Sequence, residues 1–287
     1  MIFHGQIGRK CEILPARDFV MLERFNVMSG KQARAMIRRG EWTGPTAALA
    51  PGFVQANLVI VPSGAAGDFL EFCRRNPRPC PLLEALPPGE ARPSEKWASG
   101  ADLRTDIPRY RIYENGVPTG EVPEIRDRLT DGLSAFLLGC SFSFDAGLQR
   151  VGIPVRHVEC GRNVPMYVTN IPCEPAGIFS GPMVVSMRPL PEERVAEASE
   201  ITRRLPLAHG APVQIGNPGA IGIRDLEAPD YGDPVEIRPG EVPVFWACGV
   251  TPQAVAAAAR LPLMITHAPG CMFITDCRAE ALEFIDE

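Results

Sequence analysis

The stretch that decides the fold is VPVFWACGVTPQAVAAAARLPLMITHAPGCMFITD, residues 242–276. Its apolar runs at 242–247, 263–266 and 271–275 are too short for typical helices, and they predict strands. The first run is apolar throughout, as is typical of a strand buried on both faces. Between the first two runs, strong helix formers follow Thr251, which is a suitable N-cap. The order strand, helix, strand, strand predicts an α/β protein.

The turns of this stretch carry the side chains best suited to chemistry. Cys248 and Gly249 lie directly after a predicted strand and before a predicted helix. At such a point the backbone N–H groups and the helix dipole favour an anion, and the same field lowers the pKa of a thiol. His267 follows the second strand and Asp276 follows the third. We therefore predict an active site at this edge of the sheet.

The composition predicts a cytoplasmic protein of ordinary globular type. The chain has 287 residues, of which 45% are hydrophobic and 22% are charged, and this balance allows one large domain or two smaller ones. A net charge of −5 argues against a nucleic-acid partner. No apolar run reaches the length of a membrane helix, and the N-terminus lacks the features of a signal peptide. We expect neither nucleic acid nor membrane as a partner.

The cysteines are expected to be reduced thiols. There are nine of them, an odd number, in a long chain without a secretory signal, so a disulfide framework is not indicated. The sequence contains no C-x-x-C or H-x-x-x-H pair, and we therefore predict no structural zinc site.

Further helices and strands are predicted before residue 242. The predicted helices are 31–39, 65–75, 126–138 and 191–204, and the predicted strands are 53–61, 155–169, 182–187 and 213–215. Ser29 is a suitable cap for the first helix, and Asn115-Gly116 predicts a hairpin turn. Gln55 and Asn57 are polar residues within the first strand. A buried amide must find partners, so each makes structural hydrogen bonds or contacts a ligand.

Cys140 and Ser141 lie where the predicted helix 126–138 ends and a second helical segment begins. A break of this kind can present backbone N–H groups to an anion. The alternative, that this turn only packs in the core, has equal support from the sequence.

Two histidines share a small local pattern. His209 and His267 each stand close to a proline and a glycine, near the end of a predicted element. Histidine is the usual general acid or base at neutral pH, so these two are the candidate proton carriers. The sequence contains no G-x-G-x-x-G, Walker A, G-x-S-x-G or metalloprotease motif.

Long segments of the chain resemble the motif blocks of a known family. These segments include GFVQANLVIVP (52–62), FLLGCSFSF (136–144), PVFWACGVTPQ (243–253) and THAPGCMFITD (266–276). They resemble the D-glutamate cyclase family, also called hydro-lyases, and together with shorter blocks they span about 30–277. The resemblance implies dehydration of D-glutamate to 5-oxo-D-proline. We expect a small carboxylate, such as an amino acid, as the ligand, and no cofactor or metal.

The resemblance also implies a fold: a three-layer α/β sandwich with a second, smaller α+β domain inserted in the chain. We place the main domain at 1–105 plus 183–287 and the smaller one at 106–182, between two segments that would complete one sheet. Compact enzymes of this size are commonly dimers or larger, so a homo-oligomer is one possible state of this protein.

The chemistry of cyclisation suggests a role for each candidate residue. The reaction needs a general base, a general acid, and donors around the developing oxyanion. His267 and His209 are the acid and base candidates, and Asp276 is the candidate that orients His267. Cys248 acts as a base, acts as a thioester-forming nucleophile, or only packs. The candidates for binding carboxylates are the helix start at Gly249 and Thr251, the turn at Cys140 and Ser141, the amides of Gln55 and Asn57, and Arg156 or Arg188 as a bidentate clamp.

Three other functions are compatible with the same residues. The first is a cofactor-independent amino-acid racemase or isomerase, with Cys140 and Cys248 as opposed acid and base. The second is a small-molecule binding protein without turnover. The third is a metal-dependent lyase in which His209, His267, Asp276 and Cys248 converge as ligands, although no spacing motif supports it.

Overall fold

Two antiparallel sheets form the framework of the part of the chain that this computed structural model describes, residues 28–47 and 49–283. The first sheet contains β1 (Phe53–Pro62), β2 (Leu82–Ala85), β3 (Tyr110–Glu114), β4 (Val117–Val122), β5 (Leu133–Gly139), β10 (Leu263–His267) and β11 (Phe273–Arg278). Its order is β2-β5-β1-β10-β3-β4, and β11 also pairs with β1. The second sheet contains β6 (Met166–Pro172), β7 (Pro182–Pro191), β8 (Gln214–Ile215) and β9 (Glu241–Ala247), in the order β6-β7-β9-β8.

The helices are α1 (Gly30–Arg38), α2 (Ser63–Arg75), α3 (Glu95–Ala98), α4 (Phe142–Arg150), α5 (Arg156–Glu159), α6 (Val195–Arg203) and α7 (Val250–Ala258). Short 3-10 turns lie at Glu192–Arg194, Pro206–Ala208, Pro218–Ile221 and Ala279–Leu282. The predicted cap of the first helix is confirmed, because the side chains of Ser29 and Gln32 form a capping box. The predicted hairpin is confirmed as well, with both turn residues, Asn115 and Gly116, at positive φ.

Helices α4 and α7 lie between the two sheets. From α4, the ring of Phe144 packs against that of Trp246 on β9, with centroids 5.5 Å apart, and the helix also contacts β1. From α7, Val255 shares a core with Met264 on β10, and the hydroxyl of Thr251 accepts a hydrogen bond from the Val184 N–H on β7. The layers are therefore sheet, helix and sheet, which confirms the predicted α/β class.

Two predicted elements are wrong. Residues 126–138 were expected to be helical, but 133–139 form β5, which lies between β1 and β2 and is buried along its whole length. Its apolar residues happen to be spaced as on one face of a helix, and burial on both sides makes a strand instead. Residues 155–169 were expected to form one strand, but they contain the short helix α5 and only the first half of β6.

The sheets divide the chain differently from the predicted domain boundary. Strands β3, β4 and β5 come from the segment assigned to a smaller domain, yet they complete the first sheet. Strands β7 and β9 were assigned to the main domain, yet they form the second sheet with β6. Residues 133–139, which the prediction places in the smaller domain, pair with β1 of the first sheet along their whole length.

Two further expectations concern membranes and cysteines. Among the described residues, no helix combines the length and the apolar character that crossing a bilayer requires. Seven cysteines of the described part are free thiols, at positions 73, 80, 140, 173, 248, 271 and 277.

Candidate active site

A cavity of about 300 Å³ opens between the two sheets, where helices α4 and α7 begin. Six residues that the sequence singled out line it: Asn57, Cys140, Ser141, Cys248, Gly249 and His267. The wall is completed by polar residues that sequence reasoning missed, Arg111, Tyr113, Asn163, Tyr231 and Gln253, and by apolar side chains such as Phe142, Met166 and Met272. A mainly apolar cavity with a few convergent polar groups is the usual form of a small-molecule site.

Asn57 joins the two turns that carry the thiols. Its Nδ2 donates a hydrogen bond of 2.7 Å to the Gly139 carbonyl, directly before Cys140. On the other side its amide packs against Gly249, so closely that a Cβ added there would lie 2.1 Å from Nδ2. The polar residue in the central strand therefore sets the distance between the start of α4 and the start of α7.

Both thiols are protonated at neutral pH. Cys140 precedes α4 and Cys248 precedes α7, and each sulfur interacts with a backbone N–H two residues further on. Burial raises the pKa of Cys140 to about 12 and that of Cys248 to about 11, although these N–H groups and the charge of Arg188 act in the opposite direction. The expected lowering of the Cys248 pKa by its helix start is therefore outweighed by desolvation.

His267 is held as a neutral hydrogen-bond donor. It ends β10, and the Leu58 N–H of β1 donates to its Nδ1 at 3.1 Å. An amide N–H can only donate, so Nδ1 accepts and the ring proton sits on Nε2. The side-chain amide nitrogen of Gln253, which is also a donor, lies 3.1 Å from Nδ1 and 3.3 Å from Nε2. Burial lowers the pKa of His267 to about 4, because its effect outweighs the contact with Leu58, which raises the pKa; the charge of Arg111 makes a smaller contribution that also lowers it. Its Nε2–H is thus available at neutral pH.

Arg111 is the arginine that lines the cavity. It lies on β3 and pairs with Thr266 on β10, next to His267. Its Nη2 donates to Glu121 at 2.7 Å, and Arg109 shares the same carboxylate from outside the cavity, at 3.3 Å. Arg111 is 30% exposed, so solvent and ligand can both reach it. Such a guanidinium suits the binding of a carboxylate.

His209 lies outside the cavity. Its Nδ1 donates to the Arg78 carbonyl at 2.8 Å, and its buried Nε2 has no hydrogen-bond partner within the described part of the chain. Its backbone is in the left-handed region, with φ of 79°. Burial lowers the pKa of His209 to about 4. The structure therefore separates the two histidines that the sequence treated as a pair.

Four other predicted site residues make structural contacts instead. Asp276 accepts from both Nη atoms of Arg34 and from the Ser99 N–H, so it anchors α1 and does not orient His267. Arg156 pairs with Glu241 and Glu159. The side chain of Gln55 hydrogen-bonds to Thr46. The hydroxyl of Thr251 hydrogen-bonds to the backbone of Val184.

Arg188 lies behind the wall of the cavity. It is fully buried and forms a bidentate ion pair with Asp145, at 2.8 and 3.0 Å. Its Nη2 also donates to Ser141 Oγ, at 3.1 Å. The predicted carboxylate clamp thus already holds a carboxylate of the protein, and it reaches the cavity only through Ser141.

The four residues considered as metal ligands do not converge, because His209 and Asp276 lie away from Cys248 and His267. Within residues 28–47 and 49–283, no group of three or more histidine, cysteine, aspartate or glutamate side chains is placed to hold a metal ion.

The close approach of Asn57 to Gly249 gives a first prediction. In Gly249→Ala the new methyl would displace the Asn57 amide and break its bond to Gly139, so we expect a loss of about 1–3 kcal/mol in the free energy of unfolding. Gly147→Ala in α4 is the matched control, because a Cβ there meets its nearest atom at 3.7 Å. Denaturant titration compares the two variants, and equal stabilities would contradict the contact.

The two neutral histidines give a second prediction. His209 and His267 each have a pKa of about 4 when folded, against 6.5 as the reference value, so the unfolded chain binds more protons between these limits. Stability is therefore complete above pH 6.5 and falls as the pH drops towards 4, by about 3 kcal/mol for each histidine. Chemical denaturation across this range checks the slope, which should be shallower in His209→Asn. An unchanged slope in that variant would contradict burial of a neutral ring.

Known proteins resemble this chain closely. Residues 134–276 match the model of a family described as D-glutamate cyclase. A protein of Stutzerimonas stutzeri (strain A1501) is 58% identical over 264 residues, 92% of this chain and 99% of that protein. One from Geobacillus kaustophilus is 58% identical over 89% of this chain and 97% of its own length. One from Thermoanaerobacter sp. (strain X514) is 59% identical over 88% of this chain and 94% of its own. Each name contains the words "Putative hydro-lyase".

The structural comparison is much weaker. A nitrogen repressor-like protein from Methanococcus jannaschii superposes over 85% of this chain and 97% of its own, with a TM-score of 0.36 and 9% identity. A similarity of that size supports no inference. The sequence relationships do support one, because they cover nearly the full length of both proteins in each comparison. The chain belongs to the D-glutamate cyclase family.

Proposed function

We propose that this protein is a hydro-lyase that dehydrates an amino dicarboxylic acid, such as D-glutamate, to its five-membered lactam, 5-oxo-D-proline. In this reaction the amine nitrogen bonds to the distal carboxyl carbon and one carboxyl oxygen leaves. The two protons that the ammonium group loses are the two that depart with this oxygen as water. The reaction therefore needs proton carriers and hydrogen-bond donors rather than an oxidant or a reductant.

The observation that carries the proposal is the meeting of a neutral imidazole, two protonated thiols and one arginine in a single small cavity. A volume of about 300 Å³ suits a compact ligand. Arg111 would bind the α-carboxylate. The Nε2–H of His267 would donate to the distal carboxyl oxygen as negative charge develops there, which is the task of an oxyanion donor.

The thiols suit the proton transfers. A thiol with a pKa of about 11, as in Cys248, remains protonated until a strongly basic oxygen forms beside it, and it can then protonate that leaving oxygen. The nitrogen attacks as the free amine, after its ammonium group has lost one proton to the solvent, and the solvent returns one proton to the leaving oxygen. The nitrogen loses its second proton after the attack, and this proton goes to the sulfur. Cys248 acts in this proposal as a proton carrier, and no thioester is needed.

A product screen tests the proposal. The purified protein is incubated with D-glutamate, L-glutamate and their aspartate and aminoadipate homologues, and the products are separated on a chiral column and weighed by mass spectrometry. We expect loss of one water molecule from a dicarboxylic amino acid and from no monocarboxylic control such as D-norvaline. Absence of a dehydrated product from every dicarboxylic substrate would overturn the proposed function.

One observation favours a second candidate function, racemisation or epimerisation without a cofactor. Cys140 and Cys248 line the same cavity, each at the start of a helix, and both belong to one buried cluster of side chains. Such a pair can remove the Cα proton on one face and return a proton on the other. Deuterium from the solvent would then be incorporated at Cα of unreacted glutamate. If the recovered glutamate contained no deuterium at Cα, this candidate would be excluded.

A further inference from the structure

Ser141 occupies a helix-capping position without capping the helix. It directly precedes α4, where a serine usually accepts a hydrogen bond from the N–H groups of the first turn. Here its side chain makes no such bond. Its Oγ instead accepts from Arg188 Nη2 at 3.1 Å, and the residue lines the cavity. The hydroxyl is therefore turned towards Arg188 and not towards the N–H groups of the helix, and its residue forms part of the cavity wall.

The guanidinium that holds Ser141 is fixed on every side. Nε and Nη2 of Arg188 donate to the two oxygens of Asp145, and Nη1 donates to Ser186 Oγ at 3.1 Å. Its Cζ lies over the ring of Phe144 at 4.8 Å and over that of Trp246 at 5.6 Å. An arginine with this many partners has one available position, so the donor to Ser141 is preorganised.

Asp145 keeps this arrangement charged although it is buried. Burial raises the pKa of Asp145, but the charge of Arg188 and the neighbouring His157 lower it by more, so the carboxylate stays ionised. His157 lies with Nε2 3.4 Å from Asp145 and with its ring stacked on Phe142, which lines the cavity. Asp145 therefore supports the position of Arg188 and, through it, that of Ser141.

A hydroxyl whose oxygen already accepts from a cation is a stronger donor through its own hydrogen. We propose that Ser141 is a catalytic hydroxyl, which donates a hydrogen bond to the reacting carboxyl oxygen of the substrate, and that Arg188 and Asp145 are its positioning residues. This inference rests on the proposed function. Ser141 keeps its proton throughout, and no bond to it forms or breaks. Together with the Nε2–H of His267 it gives the cavity two neutral donors for one oxyanion.

The test compares two serines of the same turn. Ser141→Ala removes a hydroxyl from a residue of the cavity wall, whereas Ser143→Ala removes a buried hydroxyl that accepts from the Gln55 N–H and belongs to a residue that does not line the cavity. We expect Ser141→Ala to lower kcat for 5-oxo-D-proline formation about 100-fold, as for loss of one oxyanion donor. KM should rise by up to about 10-fold, because the same hydroxyl also binds the carboxylate before the reaction begins. Ser143→Ala should keep kcat within about 3-fold of the wild type. Equal kcat in wild type and Ser141→Ala would overturn the inference.

A double-variant cycle tests the role of Arg188. Lysine keeps the charge but has no planar fork for the bidentate pair with Asp145, so the donor to Ser141 loses its fixed position and Arg188→Lys should lower kcat about 10-fold. In the Ser141→Ala background the same substitution should have almost no further effect, because the residue through which it acts is gone. A similar loss in both backgrounds would show that Arg188 only stabilises α4, and thermal melting of each variant shows whether it folds.

Calorimetry separates failure of this inference from failure of the proposed function. If the wild type makes no lactam, the proposed function fails, and binding of D-glutamate then decides the role of Ser141. An affinity about 10-fold weaker in Ser141→Ala than in Ser143→Ala supports the hydroxyl as a carboxylate donor. Equal affinities in these two variants overturn it.

Discussion

The variant His267→Asn is expected to form lactam about 10²–10³-fold more slowly than the wild type, with little change in KM. The substitution is selective, because an asparagine oxygen can still accept from the Leu58 N–H while the donor at the Nε2 position is lost. The fall in kcat follows from the loss of a neutral donor that is oriented before the reaction begins. Steady-state kinetics with D-glutamate measure it.

The matched control is His209→Asn. That histidine is equally buried and neutral, but it lies outside the cavity. Asparagine tolerates its left-handed backbone and can donate to the Arg78 carbonyl as Nδ1 does. We expect kcat within about 3-fold of the wild type. A large loss in both variants, or in His209→Asn alone, would contradict the separation of the two histidines.

The variant Arg111→Gln is expected to lower kcat/KM by about 30–150-fold, mainly by raising KM. Arg111 brings a cation to the cavity, and removal of a charged bidentate partner leaves the α-carboxylate of the substrate without its counter-charge. Folding should be little affected, because Glu121 keeps Arg109 as a partner. The kinetic constants for D-glutamate, together with a melting curve, measure both effects.

Arg109→Gln provides the control for this prediction. Arg109 pairs with the same Glu121, but its side chain is 46% exposed and does not line the cavity. This substitution changes the net charge by the same amount and should leave KM unchanged. If Arg109→Gln raised KM as much as Arg111→Gln, the effect would come from the general field of the protein and not from a contact with substrate.

The helices, strands and turns that could be predicted correctly are those whose conformation is determined by their own residues and not by contacts with distant parts of the chain. Residues 242–247 are a short apolar run and form β9, and the Asn115-Gly116 pair can adopt the two positive φ values that its turn requires. By contrast, the apolar spacing of 133–139 fits a helix as well as a strand. Only the positions of β1 and β2 on either side make it a strand, and these contacts are not visible in a local pattern.

The candidate site shows the same limit. Cys248 and His267 could be identified because each lies at the end of a buried strand within one short stretch. Arg111 could not, since it reaches the cavity through the pairing of β3 with β10, which are distant in the sequence. His209 and His267 share a local pattern, yet His267 ends a strand of the central sheet while His209 follows a 3-10 turn in a left-handed conformation. The two histidines therefore differ in their place in the fold, and the local sequence around them does not show this difference.

The most direct test of the central claim, that this cavity is where the substrate reacts, is a crystal structure of His267→Asn grown with D-glutamate. The slowed variant should retain the unreacted amino acid. We predict its α-carboxylate on Arg111 and its distal carboxyl group beside Ser141 and Cys248. The account would be contradicted if this cavity held only solvent and glutamate were bound elsewhere. One such place is the groove between α4 and α6, which is lined by Arg150, Glu200 and Arg204.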